Sequence, residues 1–115
     1  MNFFCLTLFP EMIDMCMNTS IVGRAIKNDL ISMETINIRD FTLDKHRRVD
    51  DYPYGGGAGM VMQAEPIHKA YESICNRLDK RVKLIYLSPQ GKVFNQNDAK
   101  ELAKLDEIVF LCGHY

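Results

Sequence analysis

PIHKAYESICNRLDKRVKLIYLSPQG, residues 66–91, holds a helix, a strand and a turn in immediate succession. After Pro66, the residues Ile67, Ala70, Tyr71, Ile74, Cys75 and Leu78 follow the i, i+3, i+4, i+7, i+8, i+11 series of one helix face. The helical period then gives way to VKLIYL, Val82 to Leu87, a candidate for a buried strand. Downstream the alternation continues, with a loop from Ser88 to Gln96, a short helix from Asp98 to Leu105 and a last apolar strand, IVFLC, from Ile108 to Cys112. Upstream, residues 2 to 8 form an aromatic-rich strand, and Pro10 stands at a first helical position with Glu11 complementing the helix N-terminus. Ser20 is placed to cap a second helix carrying Ile21, Val22, Ala25, Ile26 and Leu30, and Ile36 and Ile38 mark a further strand. Strands alternating with helices predict an α/β fold, a mostly parallel sheet with helices on both faces.

The chain has 115 residues, 47% hydrophobic and 25% charged, with 14 Lys+Arg against 15 Asp+Glu. That is the size and composition of one globular domain, which can bury roughly two thirds of its unfolded surface without disulfides or metal. A near-neutral balance argues against binding nucleic acid through the overall field, so any polyanion site has to be local. The four cysteines, at 5, 16, 75 and 112, form no C-x-x-C and sit in or beside apolar runs, as in a cytoplasmic protein. The apolar N-terminus has no preceding Lys or Arg and is cut short by Pro10-Glu11, so it fits neither a signal peptide nor a membrane span.

From Arg39 to Gln63 regular patterning stops, and four of the seven glycines fall here. A stretch this long inside a compact domain is functional or disordered. Its densest part runs from Val49 through Asp50, Asp51, Tyr52, Pro53, Tyr54, Gly55, Gly56, Gly57, Ala58 and Gly59 to Met60, Val61 and Met62. Glycines allow backbone to approach a ligand closely. Yet the pattern is neither G-x-G-x-x-G nor a Walker loop, and a flexible surface loop explains it equally well. Arg39, Lys45, His46, Arg47 and Arg48 outweigh Asp40 and Asp44 and could form a phosphate footprint, although a solvated charged face is the default. Arg77, Lys80, Arg81 and Lys83 are expected near a helix C-terminus from the helix dipole alone.

Two strand-end loops, Tyr86-Leu87-Ser88-Pro89-Gln90-Gly91 and Leu111-Cys112-Gly113-His114-Tyr115, would lie along one edge of a parallel sheet, where planar ligands bind. Taken singly, each reads as a tight turn or a chain end. The histidines and cysteines have no metal-ligand spacing, so no metal is expected. Met60 and Met62, beside the glycines, stand apart from methionines that fill the core.

Taken together, Phe9-Pro10-Glu11-Met12, Gly23-Arg24-Ala25, Arg39-Asp40-Phe41-Thr42, Asp44-Lys45-His46, Val49 through Met62, Leu87-Ser88-Pro89-Gln90-Gly91 and Leu111-Cys112-Gly113-His114-Tyr115 resemble the bacterial tRNA (guanine-N1)-methyltransferases of the TrmD type. The resemblance implies a SPOUT-class fold with a deep trefoil knot, an exception to the rule that chains do not knot. It implies transfer of a methyl group from S-adenosylmethionine to N1 of the guanine just 3′ of the tRNA anticodon, by a homodimer with its site between subunits. Residue by residue, it makes Tyr86, Leu87, Ser88, Pro89, Gln90 and Gly91 one wall of the donor pocket, with Gly113 and Tyr115 in another. It sets Gly55, Gly56, Gly57 and Gly59, with Asp50 and Arg24, around the target guanine and its tRNA neighbours. His114 replaces the arginine common in the family, which keeps a donor but makes its charge pH-dependent.

Guanine N1 carries a proton, so methyl transfer needs a general base and stabilisation of charge developing on O6. In the family that aspartate base and a nearby arginine lie beyond residue 115, as does a C-terminal domain that grips tRNA. Residues 1–115 are thus expected to be the N-terminal part of the methyltransferase domain, with an unthreaded half-site and no turnover of their own. Asp50 is a weak candidate for helping to position the base or serving as a secondary acceptor, and nothing in the sequence singles it out over Asp51. The competing readings are a non-catalytic α/β nucleotide- or RNA-binding module, a flavodoxin-like domain and a self-associating fragment. The first would favour positive charge and aromatics on a strand face. The second would favour a phosphate-gripping turn where Phe9-Pro10-Glu11-Met12 stands.

Overall fold

Four of the apolar runs become one parallel sheet in the computed structural model, which describes residues 1–114. The elements are β1 (Asn2–Thr7), α1 (Pro10–Met17), α2 (Ser20–Lys27), β2 (Ser32–Asn37), a 3₁₀ turn (Ile38–Phe41), β3 (Asp50–Asp51), β4 (Val61–Met62), α3 (Ala64–Leu78), β5 (Lys83–Tyr86), α4 (Gln96–Leu102) and β6 (Glu107–Leu111). The sheet order is β2-β1-β6-β5, so β1 is central, with Leu6 opposite Ile36 on one side and Leu111 on the other. Strand side chains alternate between faces. Phe4, Leu6 and Val109 therefore share the face that packs with Ile38, Val49, Ala70, Ile74 and Cys75 into one core. Cys5 and Phe110 fall on the opposite face, over part of which α1 lies.

The helix from residue 64 buries Pro66, Ala70, Ile74 and Cys75, with Ile67, Tyr71 and Leu78 partly buried, as the periodicity predicts. Asp79 ends it in the left-handed conformation, φ 53°, while Tyr71 Oη donates to the Val82 carbonyl at 2.6 Å and aims the chain into β5. Arg77 reaches Glu34 on β2 through two bonds of 3.0 and 2.8 Å and lies over the Phe4 ring at 5.3 Å. That ties α3 to the sheet.

Several expectations change. The strand from Val82 is an edge, not a buried strand: only Val82 itself is buried, while Lys83, Leu84 and Tyr86 are exposed, because no described element covers that margin. The helices therefore cover the sheet only in part. Ser20 is not a cap but the first residue of α2; the cap position falls on Thr19, whose hydroxyl instead donates to the Met15 carbonyl at 2.7 Å. Ile38 leaves the strand and opens the 3₁₀ turn, where Asn37 Oδ1 accepts the Arg39 N–H at 3.0 Å. The last helix begins two residues earlier than expected because Asn95 and Asp98 form a capping box. The stretch from Arg39 to Gln63 is partly ordered, since β3 and β4 pair antiparallel and carry the glycines at a hairpin tip.

The molecule is open for its size. Its accessible surface is 8302 Å², against about 6,400 Å² for a compact protein of this mass. Among the exposed large hydrophobic residues are Leu84, Tyr86, Leu87, Val93 and Phe94, in β5 and the segment after it, and Met12, Met15 and Ile21 on the first two helices.

Candidate functional site

β5 and β6 run parallel and end side by side, at Tyr86 and Leu111, so whatever follows them emerges at one edge of the sheet. A cleft of about 320 Å³ opens there. Tyr86, Leu111, Gly113 and His114 form its sheet side; Met60, Val61 and Met62 arrive from the hairpin, and Ile67 from the first turns of α3. The Gln63 N–H donates to the Val49 carbonyl at 2.7 Å and its side chain to the Asp50 carbonyl at 3.1 Å, which seats the hairpin base beside α3. The His114 N–H donates to Met62 Sδ at 3.2 Å, and the His114 ring meets Phe9 edge-on at 5.2 Å. Three separate parts of the sequence thus meet around the segment after β6.

Gly113 is a glycine for a local reason: a Cβ there would stand 3.0 Å from Tyr86 Cε2 and 3.2 Å from its hydroxyl. The two strand-end loops therefore touch through Tyr86 and Gly113, as the sequence predicts. Leu87 to Gly91 do not line the cleft. Leu87 is exposed, and residues 88–91 make a turn closed by Gly91 N–H donating to the Ser88 carbonyl at 3.0 Å, with Ser88 Oγ accepting from Gln90 N–H at 3.2 Å. Tyr115 lies outside the described residues.

Gly55, Gly56, Gly57 and Gly59 all have positive φ, and a Cβ on any of them would meet nothing within 4 Å, so these glycines serve backbone shape in an open loop. Tyr52 and Tyr54 flank that tip and are exposed. Asp50 is half-buried in β3, opposite the cleft residue Met62. Asp51 points elsewhere: it is exposed and its Oδ1 accepts the Tyr52 N–H at 2.8 Å. Arg24 is not at the cleft. It lines a separate groove of about 400 Å³ with Asn18, Ser20, Gly23 and Lys27.

The basic cluster at 39–48 is largely paired within itself. Arg47 binds Asp40, and Asp44 Oδ2 accepts the N–H groups of His46 at 2.9 Å and Arg48 at 3.0 Å. The Arg48 N–H above all, with that of His46, holds the Asp44 carboxyl below its ordinary range. Arg77, Lys80 and Arg81 likewise bind Glu34, Glu107 and Glu72. These cations staple elements together, which leaves Arg24, Lys27, Arg39, Lys45, Lys83 and Lys100 without ion-pair partners among the described residues. No group of three metal-ligating side chains is present among the described residues. Sequence reasoning missed Ile67, Phe9 and the link from His114 to Met62; Met60 and Met62 were visible only through their position beside the glycines.

The family model described as tRNA (Guanine-1)-methyltransferase TrmD matches residues 1–115. A tRNA (guanine-N(1)-)-methyltransferase of Lachnoclostridium phytofermentans is 48% identical, covering 100% of this chain and 51% of that protein. One of Clostridium botulinum, strain Langeland, is 57% identical over 96% of this chain and 45% of its own length. The crystal structure of tRNA (m1G37) methyltransferase from Aquifex aeolicus superposes with a TM-score of 0.86 at 38% identity, covering 99% of this chain and 51% of that one. The chain spans about half the length of the curated relatives it matches.

Proposed function

The chain belongs to the tRNA (guanine-1)-methyltransferase TrmD family, and from that premise we propose that the protein methylates N1 of the guanine immediately 3′ of the tRNA anticodon, with S-adenosylmethionine as donor. The observation that carries the reading is the meeting of Tyr86 and Gly113 at the sheet edge, beside a cleft whose other wall is the hairpin that bears the glycine tip. The donor, when bound, supplies an electrophilic methyl group. An adenosyl group suits this cleft: Met62, Ile67 and Leu111 offer an apolar slot, and Gly113, packed closely on the Tyr86 ring, leaves its backbone bare at the cleft wall. Leu87, Ser88, Pro89, Gln90, Gly91 and Tyr115 are assigned to donor binding by the family resemblance alone.

On the RNA side, the tip from Gly55 to Gly59 offers bare backbone to the target guanine, and Asp50 positions the base. Its half-buried place opposite Met62 favours it over Asp51, whose carboxylate is occupied by Tyr52. Arg24 and Lys27, unpaired in their groove, suit a more distant backbone phosphate of the tRNA. The base that removes the N1 proton belongs, in the family, to the half of the relatives' length outside residues 1–115. So do the C-terminal part of the knot and the tRNA-gripping domain, and residues 1–115 form the N-terminal part of the methyltransferase domain. We place the active protein in the cytoplasm as a homodimer; among the described residues no helix is long and apolar enough to cross a membrane.

The test is transfer of a labelled methyl group to an unmodified tRNA transcript by the protein of the relatives' full length. Incorporation that vanishes when the guanine after the anticodon is replaced is the expected result. Undiminished incorporation into that altered transcript, or none into the parent, would overturn the reading. In the same protein, Gly113→Ala is expected to raise the KM for the donor about tenfold, equivalent to ~1.4 kcal/mol, with little change in the KM for tRNA. A polypeptide of residues 1–115 alone, verified by intact mass, is expected to give no turnover in this assay.

A further inference from the structure

Cys5 and Cys112 are far apart in sequence, yet their sulfur atoms lie 3.4 Å from each other. The sheet brings them together. Cys5 lies in β1, directly opposite Phe110 of β6, and Cys112 follows two residues later, where its N–H donates to the Leu6 carbonyl at 3.0 Å. Both sulfurs therefore stand on the face away from the main core. Cys5 is buried at 2% exposure, while Cys112 is half-buried and immediately precedes Gly113 and His114 of the cleft. Of the other thiols, Cys16 is exposed on α1 and Cys75 is buried in the core.

We propose that Cys5 and Cys112 form a modification site, a dithiol that a peroxide oxidises reversibly to an intramolecular disulfide joining the two central strands beside the cleft. A disulfide holds its sulfurs about 2.0 Å apart, so closure asks the two side chains to approach by about 1.4 Å. Disulfides of this kind in reducing compartments are transient and redox-responsive.

The order of events follows from burial and ionisation. Burial, and then the hydrogen bond and charge of Cys112, push the Cys5 thiol up to about 12, so Cys5 keeps its proton and Cys112 is the sulfur that meets the oxidant. The Cys112 thiolate attacks one peroxide oxygen, the O–O bond breaks, and the departing hydroxide leaves as water with the proton Cys112 has lost. Cys112 is now a sulfenic acid. The Cys5 sulfur then attacks the Cys112 sulfur, the S–O bond breaks, and the oxygen leaves as a second water with the Cys5 proton. Two thiols and one peroxide thus give one disulfide and two waters. The new bond pulls on the residue next to Gly113, which puts the cleft under redox control.

The experiment exposes the reduced, folded protein to hydrogen peroxide, blocks remaining thiols with iodoacetamide and maps the peptides by mass spectrometry. The expected result is a linked Cys5–Cys112 peptide, loss of alkylation at both positions, and recovery of both on adding dithiothreitol. Cys16→Ser should leave the link intact, and Cys112→Ser should abolish it with Cys5 still reduced. The same link forming as fast in urea-unfolded protein would overturn the proposal, because proximity in the fold would then be irrelevant. So would a Cys112 that proceeds to the sulfinic acid without linking, or oxidation that appears only as Cys16-linked dimers. The chemistry is read independently of methyl transfer, so neither result bears on the proposed activity.

Discussion

Replacing Leu6 by alanine is expected to cost about 2–5 kcal/mol, a large share of the roughly 5–15 kcal/mol that holds a domain folded. Leu6 has no solvent exposure and sits in the central strand between Ile36 and Leu111, against the core formed with Ile38, Val49, Ala70 and Ile74. Its removal opens a cavity that strands hydrogen-bonded on both sides cannot close. Urea unfolding checks this: the midpoint should fall sharply with an unchanged slope. Ile21→Ala, at a site 71% exposed, should shift stability by no more than about 0.5 kcal/mol. Equal effects at the two positions would contradict the assignment of the core.

Gly23→Ala is the second large effect, and its sign is the informative part. A glycine inside a helix costs roughly 0.5–1 kcal/mol relative to alanine, so on propensity alone the substitution stabilises. Here the added Cβ would lie 2.6 Å from both the carbonyl carbon and the oxygen of Asn18, which are backbone atoms and cannot rotate away. The Gly23 N–H also donates to the Thr19 carbonyl at 3.1 Å, the bond that opens α2 from its cap, so moving residue 23 away from Asn18 would strain the first turn. Overpacking of this kind costs about 1–3 kcal/mol. We expect a lower thermal midpoint for Gly23→Ala and a displaced α2, Arg24 included. A raised midpoint would show that the corner relaxes freely.

The sequence disclosed the helix from residue 64 because its apolar stripe faces one core and nothing else competes for it. It disclosed the strands of residues 2–7 and 107–111 because both are central in the sheet, where apolar runs are required. It misread β5 for a related reason: Leu84, Ile85 and Tyr86 are apolar enough for an interior strand, and nothing in their composition says that the strand lies at an edge. The hairpin at β3 and β4 is only two residues long on each side, too short for any period to show. At the site, the encounter of Tyr86 with Gly113 followed from the rule that parallel strands end along one edge. Phe9, Ile67 and the bond from His114 to Met62 depend on three-dimensional packing between distant segments, and no spacing encodes them. The basic cluster misled in the opposite direction, because a count of charges does not show that Asp40 and Asp44 already hold two of its arginines.

The pairing of β1 with both β2 and β6 also governs how the chain assembles as it is made. Asn2 to Thr7 meet Ser32 to Asn37 about thirty residues after they are synthesised, but their second partner begins only at Glu107. At roughly 5–20 residues per second, a ribosome needs about 4–14 s to travel from Asn37 to Glu107. For that interval the first strand has one side hydrogen-bonded and the other open, with Phe4 and Leu6 ready to stick to a neighbouring nascent chain. Contacts that span so much sequence also slow refolding. The segment that completes the sheet-edge cleft is therefore the same one that ends the most aggregation-prone stage of the protein's birth.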